Sequence, residues 1–135
     1  MGDLEEKLNK LRIAIDAVDD EVLDLIRKRA QLAAQVGEAK QNKGNAPFYV
    51  PSREASIIRR LLARNAVAAK ASHETKISDE AIHGIYREII GACLALEHPM
   101  TIAYLGPEGT FSHTAATRQF GATPKYLPCG SLDMV

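Results

Sequence analysis

The chain has 135 residues, 46% hydrophobic and 25% charged, with 17 Lys and Arg against 17 Asp and Glu. That length holds one domain and part of a second, and the neutral balance gives no field for nucleic acid or an acidic membrane surface. The longest apolar run, 89–96, is far short of the roughly 20 residues of a membrane span, so a cytoplasmic protein is expected.

The N-terminus MGDLEEKL is acidic and lacks the basic-then-apolar profile of a signal peptide. From Leu4 onward, apolar residues recur in steps of four and three: Leu8, Leu11, Ile15, Val18, Val22, Leu25, then Arg29, then Leu32, Val36 and Ala39. This heptad seam predicts one helix over residues 4–43, about 60 Å long. So small a domain cannot cover so long a stripe with its own helices. A second copy of the chain can, and a homodimer along this helix is expected.

Gly44, Asn45, Pro47 and Pro51 end the first helix, and Pro51 suits the first turn of a second. Ile57, Ile58, Leu61, Leu62 and Asn65 follow at helical spacing. Residues 69–76 show no periodicity and are expected as a loop. Ser78 or Asp79 caps a third helix, whose inner face carries Ile82, Ile85, Tyr86, Ile89, Ile90, Cys93 and Leu96 before Pro99 stops it.

Beyond Pro99 the pattern changes. TIAYLG (101–106) reads as a strand, GPEGTFS (106–112) as a glycine turn, and His113 to Gly121 as a helix. Together they make the opening βα unit of an α/β domain, too short to bury a core of its own and expected as a loosely held tail. Cys93 and Cys129 lack the spacing of a disulfide or zinc site, and the four histidines show no ligand spacing. No metal or cofactor is expected.

Several charges interrupt the apolar pattern. Arg29 takes a core position of the seam, between Leu25 and Leu32, while Arg12 and Lys40 border it. Eleven residues separate Arg29 from Lys40, so on a straight helix they point within about 20° of one another, their Cα atoms roughly 16 Å apart. Two long cationic side chains at that spacing can converge on one small anion. Arg12 lies about 25 Å along the axis from Arg29 and joins such a site only from an antiparallel partner chain. Arg53 and Glu54 open the second helix and Glu97 closes the third. Singly, each has a plainer reading: Arg29 as a polar residue fixing register, Glu54 as a complement to the helix dipole, Cys93 as a small core residue, and Glu97 as part of a frayed end. Together they describe an apolar bundle with a pocket for a small dianion.

The pattern Leu8–Arg12, Asp19, the run R-x-x-L-A-x-x-V-G-x-x-K from Arg29 to Lys40, and P-x-R-E from Pro51 to Glu54 resembles the all-helical chorismate mutases. IAYLGPEGTFSHTAA (102–116) is similar to the start of a prephenate dehydratase domain, so the whole resembles the N-terminal part of bifunctional chorismate mutase–prephenate dehydratases. The resemblance implies an all-α, intertwined homodimer of three-helix protomers that rearranges chorismate to prephenate without a cofactor. It assigns residues 1–98 to the mutase and 99–135 to the truncated start of the dehydratase. By position, Arg12 of the partner chain and Arg29 hold the substrate carboxylates. Lys40 reaches a carboxylate and the ether oxygen, and Arg53 and Glu54 match the family's second-helix pair, with Glu54 taking the ring hydroxyl.

Three positions depart from the family's best-known pattern. Val50 stands where some members have Asp, leaving only a backbone contact. Cys93 replaces a Ser, and Glu97 replaces a Gln that donates to the ether oxygen. An ionised Glu cannot donate, so the pKa of Glu97 is expected to be raised by burial. The competing reading is a non-catalytic helical dimerisation module tethering a dehydratase.

Overall fold

The heptad run forms one unbroken helix, α1 (Gly2–Asn42), acidic in its first turn at Asp3 and Glu5 and basic in its last at Lys40, as the helix dipole favours. The structure, a computed structural model, describes residues 2–42, 47–72 and 77–135. The stop signals Gly44 and Asn45, and 73–76 of the expected loop, lie outside the described residues. Every residue of α1 up to Leu25 is exposed, and partial burial begins at Ile26.

The second helix, α2 (Pro51–Ser72), starts at the proline as expected. The Val50 carbonyl accepts from the Arg53 and Glu54 amides at 3.1 and 3.3 Å, closing its first turn. It runs past residue 69, where a loop was expected. Ala66, Ala68, Ala69 and Ala71 carry high helix propensity without any apolar periodicity. The third helix, α3 (Asp79–Glu97), is capped by Ser78, whose hydroxyl accepts from the Ala81 amide at 3.1 Å.

The core is small: Ile57 and Ile58 of α2 meet Ile90 of α3, with Leu61, Leu62 and Tyr86 packed around them. The buried face of α3 is Arg87, Ile90 and Cys93. Ile85 and Leu96, expected on the inner face, are exposed, because α1 and α2 of one protomer cover only part of that wide stripe. α1 packs on α3; the half-buried Ala30, Ala33 and Ala34 and the buried Gly37 lie along one face of it, and Gly37 meets Glu97. A Cβ at Gly37 would lie 2.9 Å from the Glu97 Cα, so the glycine is what lets the two helices touch. The seam itself stays open from Leu4 through Val36, with Leu8 40% and Leu25 64% exposed.

The C-terminal segment is a parallel β1 (Thr101–Leu105), α4 (Phe111–Phe120), β2 (Lys125–Cys129) unit, Thr101 pairing with Lys125 and Leu105 with Cys129. Thr110 caps α4, its hydroxyl accepting from the His113 amide, so this helix begins two residues before His113. The sequence reading overlooked β2, which is only five residues long and contains Pro128; the sheet has no third strand among the described residues, and edge strands tolerate proline. Nor is the segment loose. Glu88 of α3 accepts from the Ala122 amide at 3.0 Å, Gln119 donates to the Tyr49 hydroxyl at 2.9 Å, and the Phe120 ring lies 5.2 Å from that of Tyr49. Gly91 admits the Phe120 carbonyl to within 3.2 Å of where a Cβ would stand. Among the described residues no helix is long and apolar enough to cross a membrane.

Candidate active site

Between α1, α2, α3 and residues 48–50 lies a half-open cavity of about 320 Å³, within the range of small-ligand sites. It brings together every candidate residue except Arg12: Arg29 and Lys40 from α1, Val50 and the first-turn pair Arg53 and Glu54, then Cys93 and Glu97 from α3. Arg12 sits on the exposed arm of α1, outside this wall. Leu32 and Val36 are both seam residues and cavity walls, so whatever covers the seam also closes the cavity.

Lys40 donates to the Phe48 carbonyl at 3.2 Å, lies 4.0 Å from a Glu97 oxygen and stands 6.0 Å from the centre of the Phe48 ring. The ammonium has three donors, so two remain for a ligand after the carbonyl is served. Phe48 in turn stacks on His98 at 4.5 Å. The sequence reading passed over Phe48, which no periodicity marks because it lies between helices.

Glu97 is not at a frayed end. The helix runs through it, and the His98 amide closes the last turn on the Leu94 carbonyl at 2.9 Å. Burial raises its carboxyl pKa above the ordinary value, while Lys40 and Arg29 pull against the shift. The net direction is upward, as the sequence reading expected.

Glu54 faces a charge that the sequence reading missed. Its Oε1 accepts from Arg87 Nη1 at 3.0 Å, and both residues are buried. The pair uses one hydrogen bond: Glu54 Oε2 and Arg87 Nε are buried without a partner. Burial raises the Glu54 pKa, the Arg87 charge and hydrogen bond lower it, and Glu97 adds a smaller upward push. A signal for Arg87 was there to read, since positions 87, 90, 94 and 97 follow one helical stripe. Like Arg29 in α1, it is a cation inside an apolar pattern.

The Val50 carbonyl is taken by the first turn of α2, so Val50 offers the cavity its apolar side chain and amide. Cys93, 3% exposed, is both core and wall. A small cavity with three cations, two carboxyls and apolar walls suits a compact dianion carrying a hydroxyl. Such a site can bind, orient and stabilise developing charge.

Residues 11–98 match the family model for chorismate mutase type II. The chain is 44% identical over 127 residues to the bifunctional chorismate mutase/prephenate dehydratase of Aquifex aeolicus, covering 94% of this chain and 34% of that protein. It is 38% identical over 130 residues to that of Neisseria gonorrhoeae, covering 96% and 33%. With the T-protein of Enterobacter agglomerans it shares 34% identity over 102 residues, 76% of this chain and 25% of the other. The chain thus spans about a third of the length of the first curated relatives. No solved structure matches.

Proposed function

The chain belongs to the chorismate mutase type II family, and we propose that it rearranges chorismate to prephenate in aromatic amino acid biosynthesis, its cavity being the active site. One observation carries this: Arg29, Lys40, Arg53, Glu54 and Glu97, drawn from three helices, line one small cavity. A tether that merely dimerised would have no use for that convergence.

The rearrangement is intramolecular: one C–C bond forms as the ether C–O bond breaks, and no atom leaves. Binding must therefore hold the substrate in a compact conformer and stabilise negative charge on the ether oxygen. Arg29 meets one carboxylate, and Lys40, with two free donors, meets a carboxylate and the ether oxygen. Glu97, whose pKa burial raises, donates to the same oxygen in its protonated form, while Glu54 accepts from the ring hydroxyl. Arg53 supplies positive charge at the rim, and Val50 and Cys93 shape the wall.

Lys40 is shared between a carboxylate and the ether oxygen, so a further cation would complete the grip on the second carboxylate. The unbroken exposed seam supports a homodimer with antiparallel α1 helices, in which Arg12 of the partner chain reaches the Arg29 end of the cavity. On this reading residues 1–98 are the mutase domain and 99–135 the start of a dehydratase domain, without dehydratase activity in this fragment. Loss of chorismate absorbance tests the activity. Arg29→Ala should lower turnover by about 10²–10³-fold and leave a folded dimer. Mixing Arg12→Ala with Arg29→Ala chains should recover about a quarter of wild-type activity, because half the dimers then hold one intact site. No recovery would refute the shared site, and an inactive wild-type chain would refute the mutase reading.

A further inference from the structure

We propose that Arg87 is a positioning residue for the mutase site: from behind the cavity wall it fixes Glu54 in one orientation, leaving the second carboxylate oxygen to accept from the substrate hydroxyl. This deepens the mutase reading and rests on it. The geometry of the pair is the first argument. A guanidinium and a carboxylate can make two parallel hydrogen bonds. This pair makes one, Nη1 to Oε1 at 3.0 Å, and leaves Oε2 of Glu54 buried and unpartnered. A buried acceptor without a donor is costly, and here it belongs to a side chain that lines the cavity. A ligand hydroxyl supplies the missing donor.

The second argument is how charge is divided among the groups that face Glu54. On α3 these are Arg87 and Glu97; from α1 Arg29 and Lys40 line the same cavity; on α2 Arg53 is adjacent. Two carboxyls share this small space and burial raises both, yet they need opposite protonation. The one at the ether oxygen must donate, and the one at the hydroxyl must accept. Of the cations, Arg87 is the one hydrogen-bonded to Glu54, whereas Lys40 and Arg29 act on Glu97. Arg87 thus offsets part of the burial cost of an ionised Glu54. It touches no substrate and acts through its partner.

Side-chain carboxyl ¹³C titration and steady-state kinetics on the whole chain test this together. In Arg87→Met the Glu54 titration should move up by about one unit or more. KM for chorismate should rise roughly tenfold with a smaller change in kcat, and kcat/KM should gain a limb that climbs with pH as Glu54 ionises. Glu54→Gln removes that limb, and adding Arg87→Met to Glu54→Gln should change KM little. An unmoved Glu54 titration in folded Arg87→Met overturns the proposal, as does an equal KM penalty in the Glu54→Gln background. If Arg87→Met does not fold, the neutral pair Glu54→Gln/Arg87→Met decides alone: KM equal to that of Glu54→Gln supports the assignment, and a further rise overturns it. An inactive wild-type chain would sink the mutase reading, while the titration would still judge the pair.

Discussion

The two parts of α1 share one heptad pattern but differ in what their other faces carry. In the arm, Gly2 to Leu25, the seam is the main apolar stripe, with Ile13 and Leu23 beside it, and every residue is exposed. From Ile26 to Asn42 the same seam continues through Leu32 and Val36, and a second face of Ala30, Ala33, Ala34 and Gly37 packs on α3. Small residues let the helices approach closely, and Arg29 in the seam and Lys40 at its border line the cavity. The arm leaves its seam uncovered, as the proposed dimer requires; the later part meets its own chain and frames the cavity.

The comparison breaks most completely if the arm is attacked. Ile15→Glu with Val22→Glu places charge in the seam of the arm. If the proposed shared site is right, sedimentation should then show a monomer, with turnover down about 10²-fold or more. The bundle should keep its helices by circular dichroism, since Ile57, Ile58 and Ile90 lie apart from the arm. An intact dimer with full turnover would overturn the division.

A smaller effect is expected on the packed face. Gly37→Ala drives a methyl against the Glu97 backbone, 2.9 Å from its Cα. Overpacking of this kind costs about 1–3 kcal/mol, read as a lower midpoint in urea unfolding. Glu97 should shift with the end of α3, so turnover should fall while the dimer persists. Unchanged stability would show that the contact yields easily.

The smallest change is in pH dependence. The carboxyl of Glu97 holds its proton above the ordinary value of 4.5, so turnover should decline as pH rises through its raised pKa. Glu97→Gln, a donor at every pH, should flatten that decline; a variant as pH-sensitive as the parent would remove Glu97 from the donor role. The linkage sign agrees. A carboxyl whose folded pKa is raised contributes stability that is full below 4.5 and lost as pH climbs through the folded value. Glu54, also raised, acts in the same direction.

Much of the site was legible because its residues stand out from apolar surroundings. Arg29 interrupts a strict seam and Lys40 follows at a spacing that returns to the same side, so both could be named from periodicity and the family resemblance. Arg87 was as legible in principle, but the third helix has a broad apolar stripe, and without knowing which arc is covered its buried face could not be told from its exposed one. Helix α2 outran its predicted end because alanine favours helix without leaving a stripe. The docked C-terminal unit was read as loose because its anchors, Tyr49, Glu88 and Gly91, gain meaning only when Gln119, Phe120 and Ala122 arrive from 28 or more residues away in the chain.

By itself the sequence determined the long helix, the proline-led second helix, the capped third helix, the strand–turn–helix start of the last segment and the family. Each rests on local spacing and short-range backbone preference, which need no knowledge of neighbours. Only the tertiary structure decided which face of α1 meets α3, that Glu54 accepts from Arg87, and that Glu97 lies where burial raises its pKa. Those are properties of distance and solvent exclusion, and a linear order of residues does not contain them.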